Sequence, residues 1–360
     1  MATRRPSDGA GLTGLTGLSA LLQRHWWRPR PTLLARALQP LSWLYAALSS
    51  LRRAMSRPQR ATVPVLVVGN VVLGGAGKTP TVLAALQLLK DAGHRPAVLS
   101  RGYGRLDKQA RRVAADDTPE LVGDEPLLIH RRSGVPVWVG PDRAALSRLA
   151  CQTDPRIDVL VCDDGLQHHR LARDVNLIVF DERGVGNGLL LPAGPLRQHM
   201  QAPHPEPGAV PVRVLYNAAA ASTAMPGALA QRSISRAWPL KAWWQNEAAQ
   251  AVSLAQLQGR PLLAAAGLAA PEKFFLMLEA AGLQINRLPL PDHHAFDTLP
   301  WPATTAEVVV TEKDAIKLQP AQLQAAGATT TVWVVPLDFS IPEALGRELL
   351  ALLFTPGTPP

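Results

Sequence analysis

Short apolar runs alternate with helical patterns along most of the chain. Val63 to Val68 reads Val-Pro-Val-Leu-Val-Val, a run too short for a buried helix and rich in β-branched residues, which predicts a buried strand. In Thr79 to Lys90, the residues Val82, Leu83, Leu86 and Leu89 recur at helical spacing and predict a helix with one apolar face. Runs at 97–99, 135–139, 159–162 and 177–180 repeat the first pattern. They are continuous in Val, Leu and Ile rather than alternating, as expected of parallel strands buried on both faces. From about residue 200 to 235 the periodicity gives way to Pro, Ala, Ser and Gln, so a linker is expected there. Beyond it come apolar runs at 262–266, 307–310 and 330–335 and a helical pattern at 271–281. The order predicts an α/β fold with a mostly parallel sheet in residues 61–220, a linker at 221–236 and a second, smaller α/β domain at 237–355.

The first sixty residues follow another pattern. Their longest uncharged run, Ala37 to Leu51, has 15 residues and contains Pro40, whereas a membrane span needs roughly 20 apolar residues. Arg36 and Pro40 also interrupt any apolar core that a signal peptide would need. Trp43, Leu44, Ala47, Leu48 and Leu51 share a helical face, and Arg52, Arg53, Arg57 and Arg60 follow directly. This combination predicts an N-terminal amphipathic helical segment, with residues 1–60 lying on an anionic membrane surface. The alternative is a helix packed on the protein's own core with its arginines facing water.

Composition sharpens this reading. The 360 residues are 47% hydrophobic, enough for two ordinary cores, and the net charge is +9. Residues 1–60 hold ten arginines and one acid, Asp8, while the rest balances 27 basic against 27 acidic side chains. The excess charge therefore sits on one end and not in a patch across the folded body, which argues against nucleic acid as a partner. Cys151 and Cys162 are the only cysteines, too few for a disulfide framework, and fit a reducing compartment.

The strongest chemical signal follows the first strand. Gly69-Asn70-Val71-Val72-Leu73-Gly74-Gly75-Ala76-Gly77-Lys78-Thr79 joins a strand to a helix through a glycine-rich turn ending in Gly-Lys-Thr, the context of a phosphate-binding P-loop. Backbone N–H groups of Val72, Leu73, Gly74, Gly75, Ala76 and Gly77 are expected to cradle phosphates, with the helix N-terminus adding positive potential. Lys78 would reach the β- and γ-phosphates of ATP, and the Thr79 hydroxyl would ligate Mg²⁺. Val72 stands where the strict pattern has glycine. The run Ile157 to Cys162 then ends in Asp163-Asp164-Gly165, two carboxylates at the C-terminal end of a strand, where ligands bind in open α/β sheets. With Thr79 they are the candidate metal ligands of a P-loop NTPase-like fold; a plain turn before Gly165 is the alternative. The guanine-reading Asn-Lys-x-Asp string is absent, so the nucleotide is read as ATP.

Six strings together resemble the tetraacyldisaccharide 4'-kinase family, the lipid A kinases of Gram-negative bacteria. They are GNVVLGGAGKTP from Gly69, SRGYGR from Ser100, GDEPLLI from Gly123, DDGLQHHRLARDVNLIVFD from Asp163, LLPAGPLR from Leu190 and TEKDAIKL from Thr311. With looser matches at Gly267 and PDHHAF from Pro291, the resemblance spans about residues 20–340. It implies transfer of the ATP γ-phosphate to the 4'-hydroxyl of a tetraacyldisaccharide 1-phosphate, giving lipid IVA. It also implies a place on the cytoplasmic face of the bacterial inner membrane, as a peripheral or monotopic enzyme, and no protein partner is evident. The family's Asp–His dyad maps to Asp124 and His293, with His294 as the rival. Arg101 and Arg105 map near the nucleotide or acceptor phosphates, with an exposed loop pair as the alternative; Gln167, a candidate nucleotide contact, and His168 could line the crevice beside the acid pair, and His169 is expected to face solvent. Lys313 is open between an anionic headgroup and a local salt bridge. One departure is Gln198 in Leu196-Arg197-Gln198, where the family often has Glu. The alternative function is a membrane-associated P-loop ATPase acting on a protein partner.

Overall fold

The computed structural model describes residues 21–200 and 209–354. Residues 1–20 of the N-terminal segment, His204 and its Pro-rich surroundings up to residue 208, and Thr355 at the expected end of the second domain lie outside them.

Two sheets organise the chain. In the first, β1 (Val65–Gly69) is central, between β5 (Val159–Asp163) and β6 (Val175–Asp181). The full order is β3-β4-β2-β5-β1-β6-β7-β8, with β2 Pro96–Ser100, β3 Arg111–Arg112, β4 Val137–Val139, β7 Val212–Asn217 and β8 Ala228–Leu229. Only the β3–β4 pairing is antiparallel. Every residue of β1, β2, β5 and β6 is buried, which is why these strands read as unbroken apolar runs. The second sheet runs β11-β10-β15-β14-β12-β13. Its strands are β10 Arg236–Pro239, β11 Val252–Ser253, β12 Leu262–Ala266, β13 Ile285–Pro289, β14 Glu307–Thr311 and β15 Thr331–Val335.

The stretch expected to be a linker is partly built into the fold. Ala228–Leu229 extends the first sheet along β7. Gln231–Ser233 (β9) pairs antiparallel with Asp338–Ser340 (β16), so outgoing and returning chains cross between the sheets as a two-stranded ribbon. The returning chain ends in a helix, Glu343–Phe354, that packs against the first sheet's side of the molecule. Gly346 allows this close approach, since a Cβ there would lie 3.0 Å from Leu88, and Phe354 stacks on His94.

The N-terminal helix, α1 (Leu33–Met55), starts at Thr32, whose hydroxyl accepts the Ala35 N–H. Its inner face docks on the 190–197 turn. The Ser42 hydroxyl donates to the Leu190 carbonyl at 2.8 Å and accepts the Ala193 N–H, and the Tyr45 hydroxyl donates to the Arg197 carbonyl. The opposite side carries Leu41, Leu44, Leu48, Leu51 and Met55, spaced three and four apart and all exposed, Met55 by 74%. Among the described residues that stripe is left uncovered. No helix among the described residues is long and apolar enough to cross a membrane.

Candidate active site

The glycine-rich turn leaves the C-terminal end of β1, and the helix α2 (Lys78–Asp91) begins at its last residues. Gly77 has φ +94°, and a Cβ on it would lie 2.3 Å from Asn217 Nδ2, so only glycine fits. Three successive loop carbonyls are held by side chains. Gly74 O accepts Asn70 Nδ2 at 2.9 Å, Gly75 O accepts Arg183 Nη2 at 2.7 Å, and Ala76 O accepts Asn217 Nδ2 at 3.3 Å. In a trans peptide the N–H points opposite to the carbonyl, so the amides of Gly75, Ala76 and Gly77 point away from these three contacts, the arrangement that an anion nest requires.

The front of the loop differs from expectation. Val72 is fully buried and bridges Leu196, and the Leu73 N–H donates to the Pro195 carbonyl at 2.8 Å. Leu73 therefore has no amide to offer a phosphate, and Val72 is pinned to the neighbouring turn. This accounts for valine at 72, where the backbone packs on the 195–197 turn.

The acid pair meets this loop through the sheet register, which pairs Val68 with Asp163. Asp163 Oδ2 accepts the Ser100 hydroxyl at 2.9 Å, while its Oδ1 is buried without a partner. Burial, reinforced by the charges of Glu125 and Asp164, pushes its carboxyl up to about 7. Asp164, at φ +49°, accepts Arg197 Nη1 at 3.1 Å, and Lys78 Nζ lies 3.9 Å from its Oδ2. Lys78 also donates to Asn70 Oδ1 at 3.3 Å.

Glu125 is the residue that the sequence reading missed. Its Oε1 accepts the Thr79 hydroxyl at 3.1 Å and Lys313 Nζ at 2.7 Å. The Lys313 ammonium, opposed by burial and helped by Lys78, holds this carboxyl down to about 2. A signal was present in the sequence: the residues one helical turn on, Leu128 and Ile129, are apolar, so Glu125 needs a partner from elsewhere in the fold.

The orphaned Asp163 Oδ1, the Thr79 hydroxyl and the Glu125 carboxylate are hard-oxygen donors, with Glu125 bonded to Thr79 and close enough to Asp163 for its charge to be felt there. Such a set fits Mg²⁺. Among the described residues no three His, Cys, Asp or Glu side chains gather closely enough to hold a metal alone. Mg²⁺ usually completes its shell with water and substrate phosphates, so this sparse set matches a cation that arrives with a nucleotide.

The loop that follows β13 supplies His293. Its Nδ1 lies 3.0 Å from Asp124 Oδ2, and this hydrogen bond, more than the opposing burial, raises the imidazole above its ordinary range. Lys317, only 7% exposed, places Nζ 3.9 Å from the same oxygen. His294 points elsewhere: its ring packs edge-on against Phe296, and its Nε2 is buried without a partner. Asp124 and Glu125 open one helix, α3 (Asp124–Ser133), so one turn carries both the dyad's carboxylate and the carboxylate beside Thr79.

Other expected residues are placed less centrally. Gln167 contacts Gln198 at 3.3 Å and receives Arg197 Nη1 at 3.3 Å, which joins it to Asp164 through one guanidinium. Arg101 is exposed, with its charge opposing that of the buried Arg143. Arg105 is tied to its own loop by a bond to the Gln109 carbonyl. His168 Nε2 accepts the N–H of Arg143, the first residue of the helix Arg143–Thr153, and burial lowers its imidazole to about 4. His169 is half-buried and also lowered to about 4 by burial, so it does not simply face solvent.

Comparison with known proteins adds three findings. Residues 34–353 match the family model described as tetraacyldisaccharide-1-P 4'-kinase. A tetraacyldisaccharide 4'-kinase of Leptothrix cholodnii is 51% identical over 341 residues, covering 93% of this chain and 96% of that protein. One of Methylibium petroleiphilum is 50% identical over 347 residues, covering 95% of each. A crystal structure of LpxK from Aquifex aeolicus in complex with ATP superposes with a TM-score of 0.70 at 26% identity, covering 89% of this chain and 100% of that one.

Proposed function

The chain belongs to the tetraacyldisaccharide 4'-kinase family, and from that premise we propose how its own residues carry out the reaction. It is an ATP-dependent kinase that phosphorylates the 4'-hydroxyl of the lipid A precursor. The observation that carries the residue assignment is the single helical turn Asp124-Glu125, which joins a nucleotide-side contact, Thr79, to an acceptor-side contact, His293.

In this reading Gly74 to Gly77 hold the phosphate tail through backbone amides, and Lys78 bonds the β- and γ-phosphate oxygens. Thr79 and Asp163 would hold Mg²⁺, with Glu125 and Asp164 beside them and Arg197, itself bonded to Gln167, bracing Asp164. Bound there, Mg²⁺ would supply charge neutralisation on the phosphates. The acceptor hydroxyl meets the dyad. With His293 Nδ1 engaged by Asp124, the ring nitrogen left for the hydroxyl is Nε2, and the pair takes up the proton as the oxygen attacks in line. Arg101, at the exposed mouth, suits an anionic group of either substrate. Residues 61–220 form the kinase core in this reading, and the smaller unit from 237 brings the acceptor base.

The membrane assignment rests on α1. A helix exposing Leu41, Leu44, Leu48, Leu51 and Met55, with Trp43 beside them and Arg52, Arg53, Arg57 and Arg60 following, suits the headgroup layer of an anionic bilayer. A substrate with four acyl chains resides in such a layer, and ATP is available on the cytoplasmic side, so the inner membrane's cytoplasmic face is the proposed location.

One experiment tests both parts. The enzyme receives γ-labelled ATP, Mg²⁺ and tetraacyldisaccharide 1-phosphate, either dispersed in detergent or embedded in anionic vesicles. Label is expected on lipid in both; label found only as free phosphate would support the ATPase alternative. The triple variant Leu44→Ser, Leu48→Ser, Leu51→Ser removes about 2–3 kcal/mol of apolar burial per side chain in a bilayer. It should match wild type in detergent and lose at least tenfold in vesicles; equal vesicle rates would remove the membrane role of α1.

A further inference from the structure

The turn Thr311-Glu312-Lys313-Asp314 has three charged residues in a row, and two are fixed by the protein around them. Glu312 accepts Trp243 Nε1 at 3.0 Å and pairs with Arg132. Asp314, fully buried, accepts the Gly267 N–H at 3.0 Å and the Thr311 hydroxyl at 2.6 Å. With both neighbours anchored, Lys313 is aimed out of the second unit and across the crevice. It ends 2.7 Å from Glu125 Oε1, the same oxygen that accepts the Thr79 hydroxyl at 3.1 Å.

One carboxylate oxygen thus serves an ammonium from the second unit and a hydroxyl of the nucleotide loop. A divalent cation at the Thr79 oxygen would draw that carboxylate toward itself and repel the ammonium, because two cations cannot share one oxygen at contact distance without strong repulsion. We propose that Lys313 is a positioning residue: a built-in counter-cation that holds Glu125 against Thr79 in the metal-free enzyme and that Mg²⁺ displaces on binding. Metal loading and the contact between the two units are then one coupled event. The inference rests on the reading of Thr79 as a metal ligand.

The test uses the full chain with one equivalent of a non-hydrolysable ATP analogue bound and Mn²⁺ as the probe, with free Mn²⁺ followed by electron paramagnetic resonance. Lys313→Met removes the competitor and should tighten Mn²⁺ binding about tenfold, whereas Lys313→Arg keeps the charge and should stay near wild type. In a Glu125→Gln background the effect of Lys313→Met should vanish, as expected when the two residues act on each other. Unchanged or weaker Mn²⁺ binding in a Lys313→Met protein with a wild-type melting curve would overturn the proposal, as would an undiminished effect in the Glu125→Gln background. Should Lys313→Met fail to fold, Lys313→Gln carries the same two expectations. Thr79→Ala checks the underlying reading separately: loss of Mn²⁺ affinity supports it, and retention sinks the reading and the inference together.

Discussion

Lys78→Ala is expected to abolish lipid phosphorylation and to cost about 2–5 kcal/mol in nucleotide binding, the range for removing one partner of a desolvated charge contact. The reason lies in the acids around it. Lys78 Nζ sits 3.9 Å from Asp164, and its charge also favours ionised Asp163 and Glu125. Without it, three carboxylates and an incoming triphosphate would confront one another with only Arg197, on Asp164, and Lys313, on Glu125, left as adjacent counter-charges. Calorimetric titration with ATP and Mg²⁺ reads the effect, and a circular dichroism melt checks that the fold survives. ATP affinity within twofold of wild type would contradict the role.

Asp124→Asn should separate chemistry from binding. Turnover is expected to fall by about 10²–10⁴, the usual contribution of general acid–base groups, with ATP affinity nearly unchanged. The pH profile gives an independent sign. Asp124 raises the His293 imidazole, chiefly through their hydrogen bond, so wild-type activity falls as pH drops through that elevated value and His293 becomes protonated. Asparagine cannot stabilise the imidazolium by charge, so His293 in the variant should release its proton more readily. The acid limb of kcat/KM then moves to lower pH, although the maximum is far smaller. An acid limb left in place, or ATP affinity lost to the same degree as in Lys78→Ala, would contradict this assignment.

Much of this arrangement was legible in the sequence. Strands buried on both faces announce themselves as apolar runs, and β1, β2, β5 and β6 were read for that reason. Val212–Asn217 was not, because it follows a Pro-rich stretch and its first two residues are only partly buried. Ile285–Pro289 lies at the edge of its sheet, and its mixed exposure hides the pattern. The site divides in the same way. Lys78, Thr79 and Asp163 lie in strings whose order carries the chemistry, whereas the choice of His293 over His294 depends on a backbone at φ +58° that no spacing rule supplies. Glu125 was overlooked because its partners, Thr79 and Lys313, are 46 and 188 residues away in the chain. Val72 shows the opposite case: a sequence departure that looked like a weakness proves to be a packing contact with Leu196.

If one crevice passes the γ-phosphoryl group directly from ATP to a hydroxyl held by Asp124 and His293, the transfer leaves a stereochemical mark. The most direct test follows configuration at phosphorus, using ATP made chiral at its γ-phosphorus and analysing the phosphorylated lipid. A single in-line transfer predicts inversion. Retention would mean two successive transfers through a phosphorylated residue of the enzyme, and would contradict both the role of His293 as proton acceptor and that of the turn it shares with the nucleotide site.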